Sequence, residues 1–199
     1  MGDSQYIGIR KHEVAQITEA WKKASSIVSK AKPPHITTVV VTKRHNARFY
    51  PATQADANKT KTKDCMPGTV VKSQITSPYC FDFYLQSHEP LQGSAKPTYY
   101  FVLEHGMGLT PEQVQNLTNA FCYNFQHSTS AVGYVSPTYY TDKLCERAAL
   151  HLNRFFNPSN EVKNMDPTPR QNAMDRDWAR GKQLNNPWSA KFNNAMFWV

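Results

Sequence analysis

Ile36-Thr37-Thr38-Val39-Val40-Val41-Thr42-Lys43-Arg44-His45-Asn46-Ala47-Arg48 decides the fold class of this chain. The first six residues are all β-branched. Such side chains lose little freedom on an extended backbone, so a run this dense predicts a buried central strand. It then turns abruptly basic. A strand end fixes where such charges point, which suits contacts to phosphate. The same composition also suits a solvated charge run.

Working outward, residues 4–30 place Ile9, Val14, Ile17, Trp21 and Val28 on an imperfect apolar stripe and predict a helix. Pro33-Pro34 ends it, because proline cannot continue a helix and restricts its predecessor. After the basic run, Phe49-Tyr50 reads as a short strand and residues 51–66 as a polar loop. Gly68 to Ile75, Tyr79 to Leu85 and Thr98 to Glu104 read as three more strands. The last two flank a polar loop, Ser87 to Pro97, that holds turn residues. Thr110-Pro111-Glu112 is a capped helix start running to about Phe125. Ser130 to Val135 is a weak strand or loop. Ser136 then caps a helix over 136–153 whose first residue is Pro137.

Strands interleaved with helices predict an α/β domain over residues 1–156, with a mixed sheet flanked by helices. Residues 157–190 lose periodicity and are dominated by Asn, Pro, Asp and Arg, so they read as a polar loop or linker. The end turns apolar again, through Phe192, Met196, Phe197, Trp198 and Val199. Residues 191–199 are expected to dock back on the domain.

The chain has 199 residues, enough for one domain with a core, and 40% apolar content, within the range of folded proteins. Its formal net charge is +8, which favours a polyanionic partner. Residues 1–50 hold nine lysines and arginines against Asp3, Glu13 and Glu19, so the excess sits on structured elements. Cys65, Cys80, Cys122 and Cys145 form no Cys-x-x-Cys pair, which argues against structural zinc. Three of the four read as buried thiols. There is no secretory signal and no apolar run near the ~20 residues of a membrane span. A reducing, intracellular location is expected.

Asp142 and Arg147 share the helix at 136–153 but diverge by roughly 140° around it. An acid suits a hard metal ion and an arginine fork suits a phosphate, a pairing that points to phosphodiester chemistry. His88, Gln92 and Lys96 recur every four residues in the loop before the last strand and offer donors to a nucleic-acid backbone. Tyr99-Tyr100 and Tyr139-Tyr140 suit stacking, with one member of each pair expected in the core. A two-metal centre needs several carboxylates. Asp3, Asp64 and Asp82 are the available companions for Asp142, although Asp82 alternates with Phe81 and Phe83 in a strand. No phosphate-binding P-loop, dinucleotide fingerprint, His-Glu-x-x-His helix or Gly-x-Ser-x-Gly elbow occurs.

These pieces together resemble the C-terminal half of the PIWI domain of eukaryotic, fungal-type Argonaute proteins. The motifs that carry the resemblance are Ile36 to Arg48, Pro67 to Val71, Ile75-Thr76-Ser77-Pro78, Phe81 to His88, Leu91 to Pro97 and Pro137 to Arg147. The ending Met196-Phe197-Trp198-Val199 is similar to the aromatic Argonaute C-terminus.

The resemblance implies a ribonuclease H-like fold that holds a small guide RNA and cuts a complementary target RNA in RNA silencing. Cleavage would use Mg²⁺ held by an acidic tetrad, whose fourth position is Asp142, where many members carry His. Lys43, Arg44, Arg48, His88, Gln92, Lys96, Gly133 and Tyr139 fall on guide-contacting positions. Arg147 falls on the arginine that reaches the guide's 5′ phosphate. His127 and Ser130 stand where many members have arginine, and Lys96 replaces an arginine, keeping charge but losing the bidentate fork. The third tetrad acid would precede Met1, with Asp3 at a nearby acidic position, so the chain reads as truncated and inactive alone. Its implied partners are guide and target RNA, a MID domain and the N-terminal half of the PIWI domain, in the cytoplasm or the nucleus. The alternative is a non-cleaving Argonaute-type RNA-binding module that recruits silencing partners.

Overall fold

A computed structural model describes residues 3–27, 32–59 and 63–151. The expected linker at 157–190 and apolar tail at 191–199 lie outside the described residues. The chain divides into two compact units, Met1–Ser136 and Pro137–Val199.

The first unit is built on a four-stranded sheet. Strands β1 (Thr37–Thr42), β2 (Thr69–Val71), β3 (Asp82–Gln86) and β4 (Thr98–His105) lie in the order β1-β4-β3-β2. All three pairings are antiparallel. Thr42 pairs with Tyr99 and Leu85 with Thr98. The end of β1, the end of β3 and the start of β4 therefore share one end of the sheet. β1 is an outer strand of the described sheet, and all six of its residues are half-buried.

Alternation sorts the two faces. Phe83, Leu85, Tyr100 and Val102 form the core with Val114 and Cys122 of helix α3, defined below, and Val39 and Val41 of β1 pack against it. The other face is aromatic. Tyr84 and Tyr99 lie 4.9 Å apart there, and Phe49 and His45 meet Tyr84 edge-on at 5.4 and 5.3 Å.

The N-terminal helical segment runs as α1 (Asp3–Gly8), a π-wound stretch (Ile9–Val14) and α2 (Ala15–Ile27). Tyr6 stacks on Phe101 at 4.1 Å, Arg10 donates to Glu104 at 2.9 Å, and Val14 is buried. These residues are four apart. An α-helix turns about 400° over four residues, so that spacing drifts off the face. The wider π winding takes up the drift.

Helix α3 (Pro111–Phe121) starts as expected. Gln113 N–H donates to Thr110 Oγ1, and Thr110 N–H donates to the Gln113 side chain, closing a capping box ahead of Pro111. Helix α4 (Ser136–His151) matches the predicted position as far as the described residues reach. The Ser136 hydroxyl, predicted as a cap, donates instead to the Phe121 carbonyl at 2.7 Å, tying the start of α4 to the end of α3.

Four expectations need correction. The run expected as a buried central strand forms β1, which is an outer strand of the described sheet and only half-buried. Phe49-Tyr50 is irregular: Phe49 packs its ring on Tyr84 and Tyr50 is exposed. The strand expected from Gly68 to Ile75 stops at Val71, because Gln74 takes a left-handed φ of 69° that an extended ladder cannot carry. Two cysteines rather than three are buried, Cys65 and Cys122, while Cys80 and Cys145 are exposed. No helix among the described residues is long and apolar enough to cross a membrane.

Candidate nucleic-acid interface

Lys43 is the first residue beyond β1, His88 lies two beyond β3, and Lys96 lies two before β4. The antiparallel register brings these positions to one end of the sheet. Gly133 joins them from the connection between α3 and α4. That connection is pinned by two fully buried hydroxyls. Ser87 Oγ donates to the Val132 carbonyl and Thr98 Oγ1 donates to the Gly133 carbonyl, each at 2.5 Å. Val132 N–H also donates to the Cys122 carbonyl at 2.9 Å.

The pinning creates a cradle. A Cβ built on Gly133 would fall on Lys43 Nζ and lie 3.3 Å from the His88 ring. Glycine leaves that space to the Lys43 ammonium and the His88 imidazole. The Lys43 ammonium also sits 5.1 Å over the Tyr134 ring, a cation–π contact that orients it. Lys43 has no carboxylate partner among the described residues.

The electrostatics agree with an anion site that its own side chains do not neutralise. Burial, and then the neighbouring Lys96, hold the Lys43 amine below its ordinary pKa. Burial and Lys43 likewise lower His88. His88 Nδ1 is buried without a hydrogen-bond partner among the described residues. His45 is lowered by burial, Lys96 and Arg48, against the opposing pull of the Pro97 carbonyl. A phosphate beside these groups would relieve all three, because an anion favours the protonated form of each.

The other predicted contacts fall on both units. Arg44, Arg48 and Gln92 are exposed, and Arg48 donates to the adjacent Ala47 carbonyl at 2.8 Å. Tyr139, Asp142 and Arg147 belong to the second unit, on α4, where Tyr139 is half-buried and Asp142 and Arg147 are exposed.

The companion acids considered for Asp142 have other work. Asp82 accepts the Ser77 N–H at 3.0 and 3.1 Å and the Tyr99 hydroxyl at 2.8 Å. Asp64 accepts the Ala95 N–H at 3.3 Å. The side chain of Asp3 lies outside the described residues. Among the described residues no group of three or more His, Cys, Asp or Glu side chains could hold a metal ion. Asp142 offers one accessible carboxylate, and Mg²⁺ needs more oxygen ligands than one. The described residues alone do not make a two-ion centre.

Four contributors escaped the sequence reading. His45 stood inside the basic run without a role, and Tyr134, Ser87 and Thr98 carried no local signal. Only the fold brings them to Lys43 and Gly133.

Comparison with known proteins gives one consistent result. The family model for the Piwi domain matches residues 1–153. Protein argonaute 5 of Arabidopsis thaliana is 35% identical over 153 residues, covering 76% of this chain and 15% of the plant protein. The C-terminal lobe of a budding yeast Argonaute superimposes with a TM-score of 0.69 at 32% identity, covering 79% of this chain and 32% of that one. Kluyveromyces polysporus Argonaute with a guide RNA gives a TM-score of 0.69 at 31% identity, covering 80% of this chain and 20% of that one. The chain thus spans about 15% of the length of the curated plant relative it matches.

Proposed function

Because the chain belongs to the Piwi-domain family of Argonaute proteins, we propose that its cradle binds the backbone of a small guide RNA. The observation that carries this reading is the convergence of Lys43, His88, Lys96 and Gly133 without a carboxylate beside Lys43 among the described residues. Phosphate oxygens accept hydrogen bonds and carry charge, so an ammonium pair and an imidazole suit them. No base-reading geometry is required, which fits a guide of arbitrary sequence. Arg44, Arg48 and Gln92 supply further donors for the RNA, and on the second unit Tyr139 is assigned to the guide backbone and Arg147 to a 5′ phosphate.

Target cleavage is the finer proposal. Asp142 would supply one oxygen ligand to Mg²⁺, with the remaining ligands drawn from other parts of the Argonaute. The ion would polarise the scissile phosphate and activate water. In the full-length protein, Asp142→Ala should abolish guide-directed cutting and leave guide binding intact. Undiminished cutting would remove Asp142 from the metal site.

The binding reading is tested by the affinity of the protein for a short 5′-phosphorylated single-stranded RNA across a salt series. Each neutralised phosphate contributes about 0.7 to the slope of log K against log salt for a single strand. Lys43→Ala with Lys96→Ala should reduce that slope by more than one. An affinity indifferent to salt would sink the reading.

A further inference from the structure

Lys96 sits in a loop that should not hold a charge still. Leu91 to Ser94 are exposed, Gly93 takes a left-handed φ of 71°, and a lysine side chain adds four rotatable bonds of its own. Yet the peptides on either side of Lys96 are both anchored. The N–H of Ala95 is held by Asp64 Oδ1 at 3.3 Å, and the carbonyl of Pro97 accepts from His45 Nε2 at 3.0 Å. Ala95 and Pro97 are buried, with Lys96 half-buried between them.

We infer that Asp64 and His45 are positioning residues that clamp the backbone on both sides of Lys96 and thereby fix where its ammonium meets RNA phosphate. The inference rests on the phosphate-binding reading of Lys96.

The anchors are themselves rigidly held. Asp64 is 2% exposed. Its carbonyl accepts from Asn58 N–H at 2.7 Å, the next carbonyl, of Cys65, accepts from Gln86 Nε2 at 2.9 Å, and Lys63 before it adopts a strained φ of 50°. Asp64 Oδ2 is buried with no hydrogen-bond partner among the described residues. A buried carboxylate with an idle oxygen is a poor device for stability alone. His45 has a comparable excess: Nε2 carries the proton donated to Pro97, while Nδ1 is buried and unpartnered among the described residues. His45 also lies two residues from Lys43, so one short segment sets both Lys43 and an anchor of Lys96. The backbone positions from which the two lysine side chains start are thereby set together.

The test is the salt slope of binding to the same 5′-phosphorylated RNA. Lys96→Ala should lower the slope by about 0.7, one phosphate contact. Asp64→Ala and His45→Ala should each lower it by a similar amount, and neither should add to Lys96→Ala in a double variant. Asp64→Asn keeps an acceptor oxygen and His45→Gln keeps an amide donor, so both should retain the wild-type slope. A thermal melt of each variant separates a lost clamp from a lost fold, and the two anchors provide independent routes to the answer. If Lys96→Ala lowers the slope and both alanine anchor variants leave it at the wild-type value, the clamp is refuted and the phosphate reading stands. If Lys96→Ala itself changes nothing, the phosphate reading fails and the clamp falls with it.

Discussion

The two ends of the β1–β4 pair are built from similar residues and used in opposite ways. At the far end, where β1 begins and β4 finishes, polar groups are satisfied internally. Gly106 N–H donates to the Ile36 carbonyl at 2.8 Å, Met107 N–H to Thr37 Oγ1 at 3.2 Å, and Arg10 pairs with Glu104. A cleft of about 430 Å³ lies there, walled by Tyr6, Tyr79, Phe81 and Phe101, and its guanidinium is the one already paired with Glu104. At the near end the Lys43 ammonium and the His88 ring occupy the space that a Cβ on Gly133 would need, and Lys96 adds positive charge near Lys43. Each end depends on a glycine. A Cβ on Gly106 would strike the Ile36 backbone, whereas a Cβ on Gly133 would strike the flexible tip of Lys43. One glycine permits a close backbone joint and the other makes room for the Lys43 ammonium and the His88 ring. On the proposed reading, stability and binding are separable along a single pair of strands.

The largest effect should come from Asp82, which ties the β3 start to Tyr99. Asp82→Ala leaves the half-buried Ser77 N–H and Tyr99 hydroxyl without their acceptor and should cost about 2–3 kcal/mol in a urea melt. A loss below 1 kcal/mol would show that this carboxylate is not a structural tie. Gly106→Ala comes next, at about 1–3 kcal/mol, because backbone rather than a side chain must move. Its affinity for RNA, measured on the folded fraction, should not change.

At the near end the order reverses. Gly133→Ala should cost under about 1 kcal/mol of stability yet weaken RNA binding about fivefold, the equivalent of about 1 kcal/mol. Lys43→Met should weaken RNA binding about tenfold while raising Tm. The sign follows from the lowered pKa of Lys43, since a folded state that disfavours the ammonium is less stable wherever lysine is charged. A lower Tm in this variant would reverse the account of the cradle.

The smallest effect is the dependence on pH. Because the folded pKa of His88 is lowered, its contribution to stability is complete above about 6.5 and is lost as pH falls through that lowered value. Bound phosphate favours the imidazolium, so RNA affinity should rise about two- to threefold between about pH 7 and pH 5.5. His88→Gln should flatten that rise, and identical profiles would remove His88 from the contact.

Much of the fold was legible locally. The Ile36 to Val41 run, the Phe83-x-Leu85 and Tyr100-x-Val102 alternations and the Thr110-Pro111 start are short-range signals, and each formed a strand or helix where expected, although β1 lies at the edge of the described sheet rather than buried at its centre. Phe49-Tyr50 misled because aromatic residues also serve to cover a sheet face. The strand after Gly68 misled because Gln74 adopts a left-handed conformation without being glycine. The basic residues were legible as charge, but their convergence was not. Lys43, His88, Lys96 and Gly133 are spread over 90 positions and meet only through antiparallel register. Family resemblance could mark Lys43 or Gly133 as a contact. It could not supply the reason, which lies in Ser87 and Thr98 holding two carbonyls of the α3–α4 connection.

The half-buried amine of Lys43 also has a consequence in reactivity. A lysine whose ammonium is disfavoured spends more of its time as a free amine at neutral pH, and the free amine is the nucleophile. Acylating reagents that reach the near end should modify Lys43 out of proportion to its exposure. A phosphate seated on Gly133 would restore the ammonium and silence it, making this side chain a chemical reporter of occupancy.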